Sequence, residues 1–589
     1  AFSLGVGIAA ALASGNNSSL AGSGAGSLAI NLVSNPVRSR IRNSRGANGS
    51  PGITADDVVV TASDESFVRS DAGGFAIALG ESKRTGSAKS AAVGVALAIN
   101  VIDASTRGVE ADFTTDLANQ TVSSGDTVLV GDEYDGGGTP GTVYRYIGDS
   151  DSTINLAAHN YDNPLLWEEV VDRDWVQATI KGSDIETTGD VLVQAQSTMQ
   201  SEALGMSGAL SGSMAKGTGT ALALSGAGSG VYNFVEQSIE ASVKGNSTIT
   251  TTSAGDVTVQ AIDSTETISD AGGVAVAVAA STGDAGSAVS GAVGVANAAN
   301  WMDHSIRAVV DHSEVTAAGD VEVNALARQD VNSDNDYRVD ALAFGVAASG
   351  AGSSTTTGFT GAFAGAGSVA TNQIDHMIAA DVTNSTVDAG ATLSVTAFDD
   401  VSIRADSGGY SLAIAADTGS GANAAGATVA GAIGFSLAIN EIGVQDEHSV
   451  TATIDNSDVS AAGDLTVEAT SEASIESLSI GAAGSGAGSA SGSGLNLALS
   501  GAGAGSYNAI LHSVEAIVVD SSLATTDSGD VHVIAVDASD IWTDAGGVAV
   551  AIAINKGSSG STAAAASGSL GIANADNTIE ATVNAYLQD

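Results

Sequence analysis

Four histidines recur at one position of a repeating pattern. They are His304, His376, His448 and His512, each just before an Ile/Val-x-Ala run, and Gln237 holds the place one copy earlier. Imidazoles stacked at one level can bind a transition metal or act as a pH-sensitive charge. Sharing an ion requires adjacent strands about 4.8 Å apart. Three solenoid rungs per copy is at least as compatible with the sequence as one. It puts the rings about 14 Å apart, as surface turn histidines.

Aspartates recur too. Gly-Asp precedes a V-x-V run at Asp190, Asp256, Asp320 and Asp530, with Asp464 in the same place, and Asp71, Asp270, Asp406 and Asp544 precede a small-Gly pair. Capping of turn N–H groups accounts for such positions. Calcium is the alternative, because it takes six to eight oxygens and relieves negative charge. The best single candidate is Asp330-x-Asn332-x-Asp334-x-Asp336, whose spacing matches the start of a calcium loop. It lacks the Gly after the third ligand, and Ala341 stands where the closing Glu belongs. No cofactor is required by these positions, and calcium is the one they would take.

Two further groups stand out. Arg38, Arg40 and Arg42 alternate, so a strand puts them on one face; with Arg45 they form a solvated face or meet an acidic partner, a neighbouring subunit or a following repeat. A stretch at about 114–176 concentrates Tyr134, Tyr144, Tyr146, Tyr161, Trp167 and Trp175, in a chain with 9 Tyr and 4 Trp. Exposed, these rings could stack on sugars; packed together, they would form a mini-core.

The elements that carry these residues are repeats. One Asn recurs at Asn31, Asn100, Asn233, Asn300, Asn372, Asn440, Asn508 and Asn577, at intervals of 69, 133, 67, 72, 68, 68 and 69. The long interval contains the aromatic stretch. A second phrase recurs as DVVVTA, DVLVQA, DVTVQA, DVEVNA, TLSVTA, DLTVEA and DVHVIA. Asp-small-Gly-Gly appears in every other copy, which gives a higher period of two copies, about 136 residues. Within copies the apolar period is two, as in Ile306-x-Ala308-x-Val310. That spacing specifies half-buried strands. The expected fold is all-β: a β-solenoid, parallel β-helix-like, of about eight ~68-residue repeats. Residues 1–113 and 177–589 form the solenoid, and 114–176 is an inserted small β module. The Asn column is expected to form a side-chain amide ladder.

Composition narrows the function. The chain has 19 Lys plus Arg against 67 Asp plus Glu, a formal charge of −48, and no Cys. Such a charge repels nucleic acid and anionic membranes. Without Cys there is no disulfide scaffold and no thiol nucleophile. The uncharged stretches 341–374 and 477–514 are too rich in Gly and Ser for lipid-facing helices. No nucleophile elbow with triad order stands out, and the basic cleft of a polysaccharide lyase lacks its cations, so no enzyme is expected. The opening AFSLGVGIAAALASG has neither Met nor a basic n-region, and both ends cut through a repeat. The sequence therefore reads as the interior of a longer or polymerising protein.

Units of the form GDVTVQA…GAVGVANAAN…SIRAVV resemble those of the giant bacterial filamentous adhesins and leukotoxin-like exoproteins. The resemblance implies a secreted, surface-exposed shaft that self-associates or continues a larger chain. Within 114–176, Gly-Asp-x-Val, the Tyr strand and Pro-x-x-Trp are similar to chitin-binding-type carbohydrate-binding modules. That similarity implies a glycan-binding head on the shaft.

Overall fold

In the computed structural model the described residues are 1–588 without 47–49, 103–110, 132–133, 135, 139–142, 149–151, 162, 164–165, 170–173, 284, 330–336, 355–356, 420–425, 445–447, 491–493, 527–528 and 557–562. They form strands almost throughout, with one short 3-10 turn at Leu156–Ala158. The all-β solenoid expected from the repeats is what forms. No described helix is long and apolar enough to cross a membrane.

Each copy makes one wide rung rather than three narrow ones. The fourth copy shows the pattern. A long strand, Glu266–Thr282, runs outward, and Ala288–Asp311 returns beside it and continues past its start. Two short strands, Glu314–Ala317 and Val321–Ala327, then close the rung. Equivalent strands of successive copies pair in parallel, giving sheets I to IV in that chain order. Copies therefore sit one strand spacing apart, about 4.8 Å.

In cross-section the rung has two parts. The distal half of sheet II packs with sheets III and IV into a three-sided prism filled with Val, Ile and Ala, such as Ile306, Val315 and Val323. Sheet I and the proximal half of sheet II form a flat blade whose core is alanine, such as Ala277 and Ala292. Glycine sets the blade's thickness. A Cβ on Gly273, Gly345 or Gly409 would lie 2.3, 2.3 or 2.0 Å from a carbonyl oxygen of the opposite sheet. No side chain fits there, and the two backbones touch.

The two-copy period is explained by the outward columns of sheet I. Register gives Leu204, Asp270, Leu342, Asp406, Leu478, Asp544 along one column. The next outward column reads Met206, Gly272, Phe344, Gly408, Ile480, Gly546. A large side chain spreads beyond the strand spacing, so a small one in the next rung makes room. This corrects the turn-cap reading of Asp71, Asp270, Asp406 and Asp544: they lie in mid-strand and face outward.

The insertion interrupts sheet II. Ala88–Ile102 pairs with the first part of Ala221–Lys244, and Asp174–Lys181 pairs with the last part. Between them stands a module with a four-stranded sheet ordered Trp167–Glu169, Val143–Tyr146, Thr127–Leu129, Phe113–Thr114. A two-strand ribbon, Asn119–Val122 with Ser152–Asn155, completes it.

Candidate functional site

The Asn column lies inside the solenoid, at the base of the blade. Each Nδ2 donates to the Oδ1 of the next copy, at 2.8–3.0 Å, from Asn31 through Asn100, Asn233, Asn300, Asn372, Asn440 and Asn508 to Asn577. The second hydrogen crosses to sheet I: Asn100 donates to the Glu202 carbonyl at 2.7 Å and Asn300 to that of Asp340 at 2.8 Å. One residue type thus binds rung to rung and sheet to sheet.

The aspartates before the V-x-V strands form a second ladder. Asp256 Oδ1 accepts from the Asp320 backbone N–H at 2.7 Å, and Asp464 Oδ1 from that of Asp530 at 2.8 Å. They cap backbone groups of the next rung. The proposed calcium ligands Asp330, Asn332, Asp334 and Asp336 lie outside the described residues.

The histidines are not surface turn residues. His304, His376 and His448 are fully buried or nearly so, and successive ring centroids are 5.3, 5.6 and 6.0 Å apart down to His512. One rung per copy brings them together. Alongside runs a column that sequence reasoning missed: Asp64, Ser197, Asp263, Ala327, Asp399, Ser471, Asp537. Its signal was present, since V-x-V-x-A-x-Asp ends the phrase in alternate copies. Asp263 Oδ2 meets His304 Nδ1 at 2.8 Å and accepts from Arg338 Nη2 at 2.6 Å, and Asp399 Oδ2 meets His448 Nε2 at 2.9 Å. Burial pushes the Asp263 carboxyl up, but His304 and Arg338 outweigh it and hold the group well below its usual range. His376 has no hydrogen-bond partner on either ring nitrogen. Burial, then His304 and Arg338, push its pKa well below the ordinary value, so it is neutral.

Asp263, His304 and His376 have ligand atoms within 4.8 Å of one another. The two rings are within 12° of parallel, so their in-plane lone pairs run side by side and do not converge. Asp263 Oδ2 is shared by Arg338 and His304, and its Oδ1 accepts from the Thr265 N–H at 3.0 Å. The arrangement is a buried polar ladder in which carboxylates bridge imidazoles and Arg338.

The module's rings do not form an open platform for sugar. Tyr144, Tyr146, Tyr161 and Trp167 are buried in the module's own core. Tyr161 stands at the centre, 4.8 Å from the Trp167 ring, 5.9 Å from Tyr144 and 5.7 Å from Tyr134. Of the two arrangements open to these rings, the mini-core is the one that forms, completed by Val122, Val128, Val130, Ile154 and Leu156. The side chain of Trp175 lies outside the described residues; its backbone belongs to the returning solenoid strand.

What the module offers is its seat on the shaft. Asp112 pairs with Arg42 at 3.1 Å and Asp126 with Lys181 at 2.7 Å. For Arg42 the acidic partner is thus Asp112 of the same chain, just before the module's first strand, and not a neighbouring subunit or a following repeat. Burial, then Arg42 and Arg38, lower the Arg40 pKa to about 10. Beside this contact opens a cleft of about 690 Å³, walled by Arg145, Tyr146 and Trp167 on the module and Lys244, Arg307 and Asp381 on the shaft. Glu240 at its floor is raised by burial, but Lys244 and Arg145 hold it ionised, well below the usual carboxylate range.

Comparison with protein families, with curated proteins and with solved structures finds no match for this chain.

Proposed function

We propose that this chain is a rigid shaft segment of an extracellular bacterial filament or surface fibre, with a mechanical and not an enzymatic role. The observation that supports this reading is the unbroken register of the Asn ladder across all eight copies. Every rung is held to the next by backbone pairing in up to four sheets and by side-chain ladders within them. Such a stack resists local opening because each strand is flanked by two others. The acidic, Cys-free composition suits an exposed location. Electron microscopy and diffraction of the purified chain test it. Rods or fibres with a ~4.8 Å axial repeat per copy are expected; compact particles without that repeat would remove the proposal.

A second reading is favoured by the cleft between module and shaft. Cationic groups and carboxylates meet there beside the Tyr146 and Trp167 side chains, and such polar groups can hydrogen-bond the hydroxyls of a sugar. On this reading the chain is an adhesin and its module the head. Glycan-array binding by the whole chain should vanish when 112–170 is deleted, a cut that spares the returning strand Asp174–Lys181. Equal binding by the deleted chain would refute the adhesin reading.

A further inference from the structure

The outer face of sheet II carries a groove of about 1140 Å³ that runs along the solenoid axis. Its floor is one register column, Val93, Gly226, Val293, Gly365, Ile433, Gly501, in which large and absent side chains alternate. Val93, Val293 and Ile433 are 50%, 53% and 65% exposed.

The holes are not required by the chain that carries them. A Cβ built on Gly226, Gly365 or Gly501 meets nothing within 4 Å, and none of these residues has a positive φ. The neighbouring column behaves differently. There a Cβ on Gly291, Gly431 or Gly568 would come 3.1, 3.3 or 3.4 Å from the side chain of Leu224, Phe363 or Leu499. Those glycines serve packing within the protomer. Gly226, Gly365 and Gly501 give up strand stability that a side chain would supply, and their added Cβ would touch nothing in the protomer. Their vacancies face solvent, between exposed apolar side chains.

We propose that a second copy of this chain fills them. The knobs and holes repeat every two rungs, roughly 9.6 Å. A partner that fills every hole must carry the same translational repeat, and this chain does. Two such faces turned together about a twofold axis, offset by one rung, put Val293 and Ile433 of each copy over glycines of the other. The blade part of the face spans about ten residues by eight rungs, roughly 1,100 Å² per copy. A stable interface needs about 800 Å² per partner. The floor column is uncharged and no carboxylate stands at the outward blade positions beside it, where Lys89 is the one charge. The proposal deepens the shaft reading by naming the lateral contact between shafts.

Sedimentation velocity of the full chain at micromolar concentration and high ionic strength, where the charge is screened, is the test. The wild type should sediment as a dimer. The double variant Val293→Glu/Ile433→Glu should be monomeric with an unchanged far-ultraviolet circular dichroism spectrum. Gly365→Ala/Gly501→Ala, whose added Cβ meets nothing in the protomer, should weaken the dimer severalfold. Leu412→Glu/Ile414→Glu, on the exposed outer face of sheet I, should leave it intact. A monomeric wild type, or a dimer indifferent to the sheet II variants, overturns the proposal. So does cosedimentation of the monomer with neutral phosphatidylcholine vesicles that Val293→Glu/Ile433→Glu abolishes, which would assign the groove to lipid. Single-width rods in electron micrographs would retire the lateral contact while leaving the shaft reading standing; absence of rods would strike the shaft reading itself.

Discussion

Asn300 has four side-chain hydrogen bonds. It accepts from Asn233 at 2.9 Å and Ser269 at 2.7 Å, and donates to Asp340 O at 2.8 Å and Asn372 at 2.9 Å. Asn300→Ala leaves buried partners unmatched and should cost about 1–3 kcal/mol. The loss should be local, because a solenoid couples chiefly nearest rungs. Hydrogen exchange should quicken in the fourth and fifth copies and not in the seventh; uniform protection would show that the ladder does not join the sheets. The buried titratable groups set a pH dependence of mixed sign. His376 faces His304, His448, Asp263 and Arg338, and its pKa is depressed in the fold. The unfolded chain therefore binds a proton that the folded chain refuses, and stability falls as pH drops below about 6.5. His376→Gln should flatten that fall in a thermal-midpoint titration. Asp270 acts oppositely: burial, then Asp340 and Glu202, push it up to about 6. Its stabilisation is complete below the ordinary carboxylate pKa and lost as pH rises through about 6. Asp270→Asn should raise the midpoint at pH 7 and do little near pH 4.

Strands tolerate glycine for two different reasons in this blade, and the reasons predict opposite outcomes. Gly345 faces inward, and its added Cβ would lie 2.3 Å from the Gly367 carbonyl oxygen. Gly345→Ala must push sheets I and II apart and should destabilise by about 1–3 kcal/mol or more. Gly365 faces outward into open space. Gly365→Ala should be neutral or stabilise the protomer by up to about 1 kcal/mol. Thermal unfolding of the pair, under conditions that keep the chain monomeric, decides it; equal effects would mean that the close approach of the backbones is not what limits the blade.

For the whole molecule the repeating unit is two copies, not one. Deleting 266–401 removes two rungs and apposes Leu204 to Asp406 and Met206 to Gly408, restoring the native alternation of sheet I. It also leaves Asp263 beside His448, as Asp399 is in the intact chain. Deleting 266–337 removes one rung and sets Leu204 against Leu342 and Met206 against Phe344. The two-copy deletion should keep the thermal midpoint within a few degrees of the parent, and the shorter deletion should lower it by more. The reverse ranking would show that the alternation carries no packing information.

Much of this architecture was legible from residues read in line. The equal spacing of the Asn residues gave the repeat, the V-x-V-x-A phrase gave its strands, and the Asp-small-Gly-Gly alternation gave the double period. What the line of residues could not give was which strands are neighbours. A period of two says that a segment is extended and half-buried; backbone hydrogen bonds look the same whether a strand pairs within its own copy or with the next one. Only the tertiary structure chose the second, and that choice moved His304, His376, His448 and His512 from the surface to a buried stack and Asp270 from a turn to mid-strand. It likewise closed the module's rings on one another and set Asp112 against Arg42. Sequence by itself determined the strands and the number and length of their repeats, because these depend on local alternation and spacing. Packing determined which side chains are buried, paired or left open, because burial depends on what the rest of the chain brings alongside.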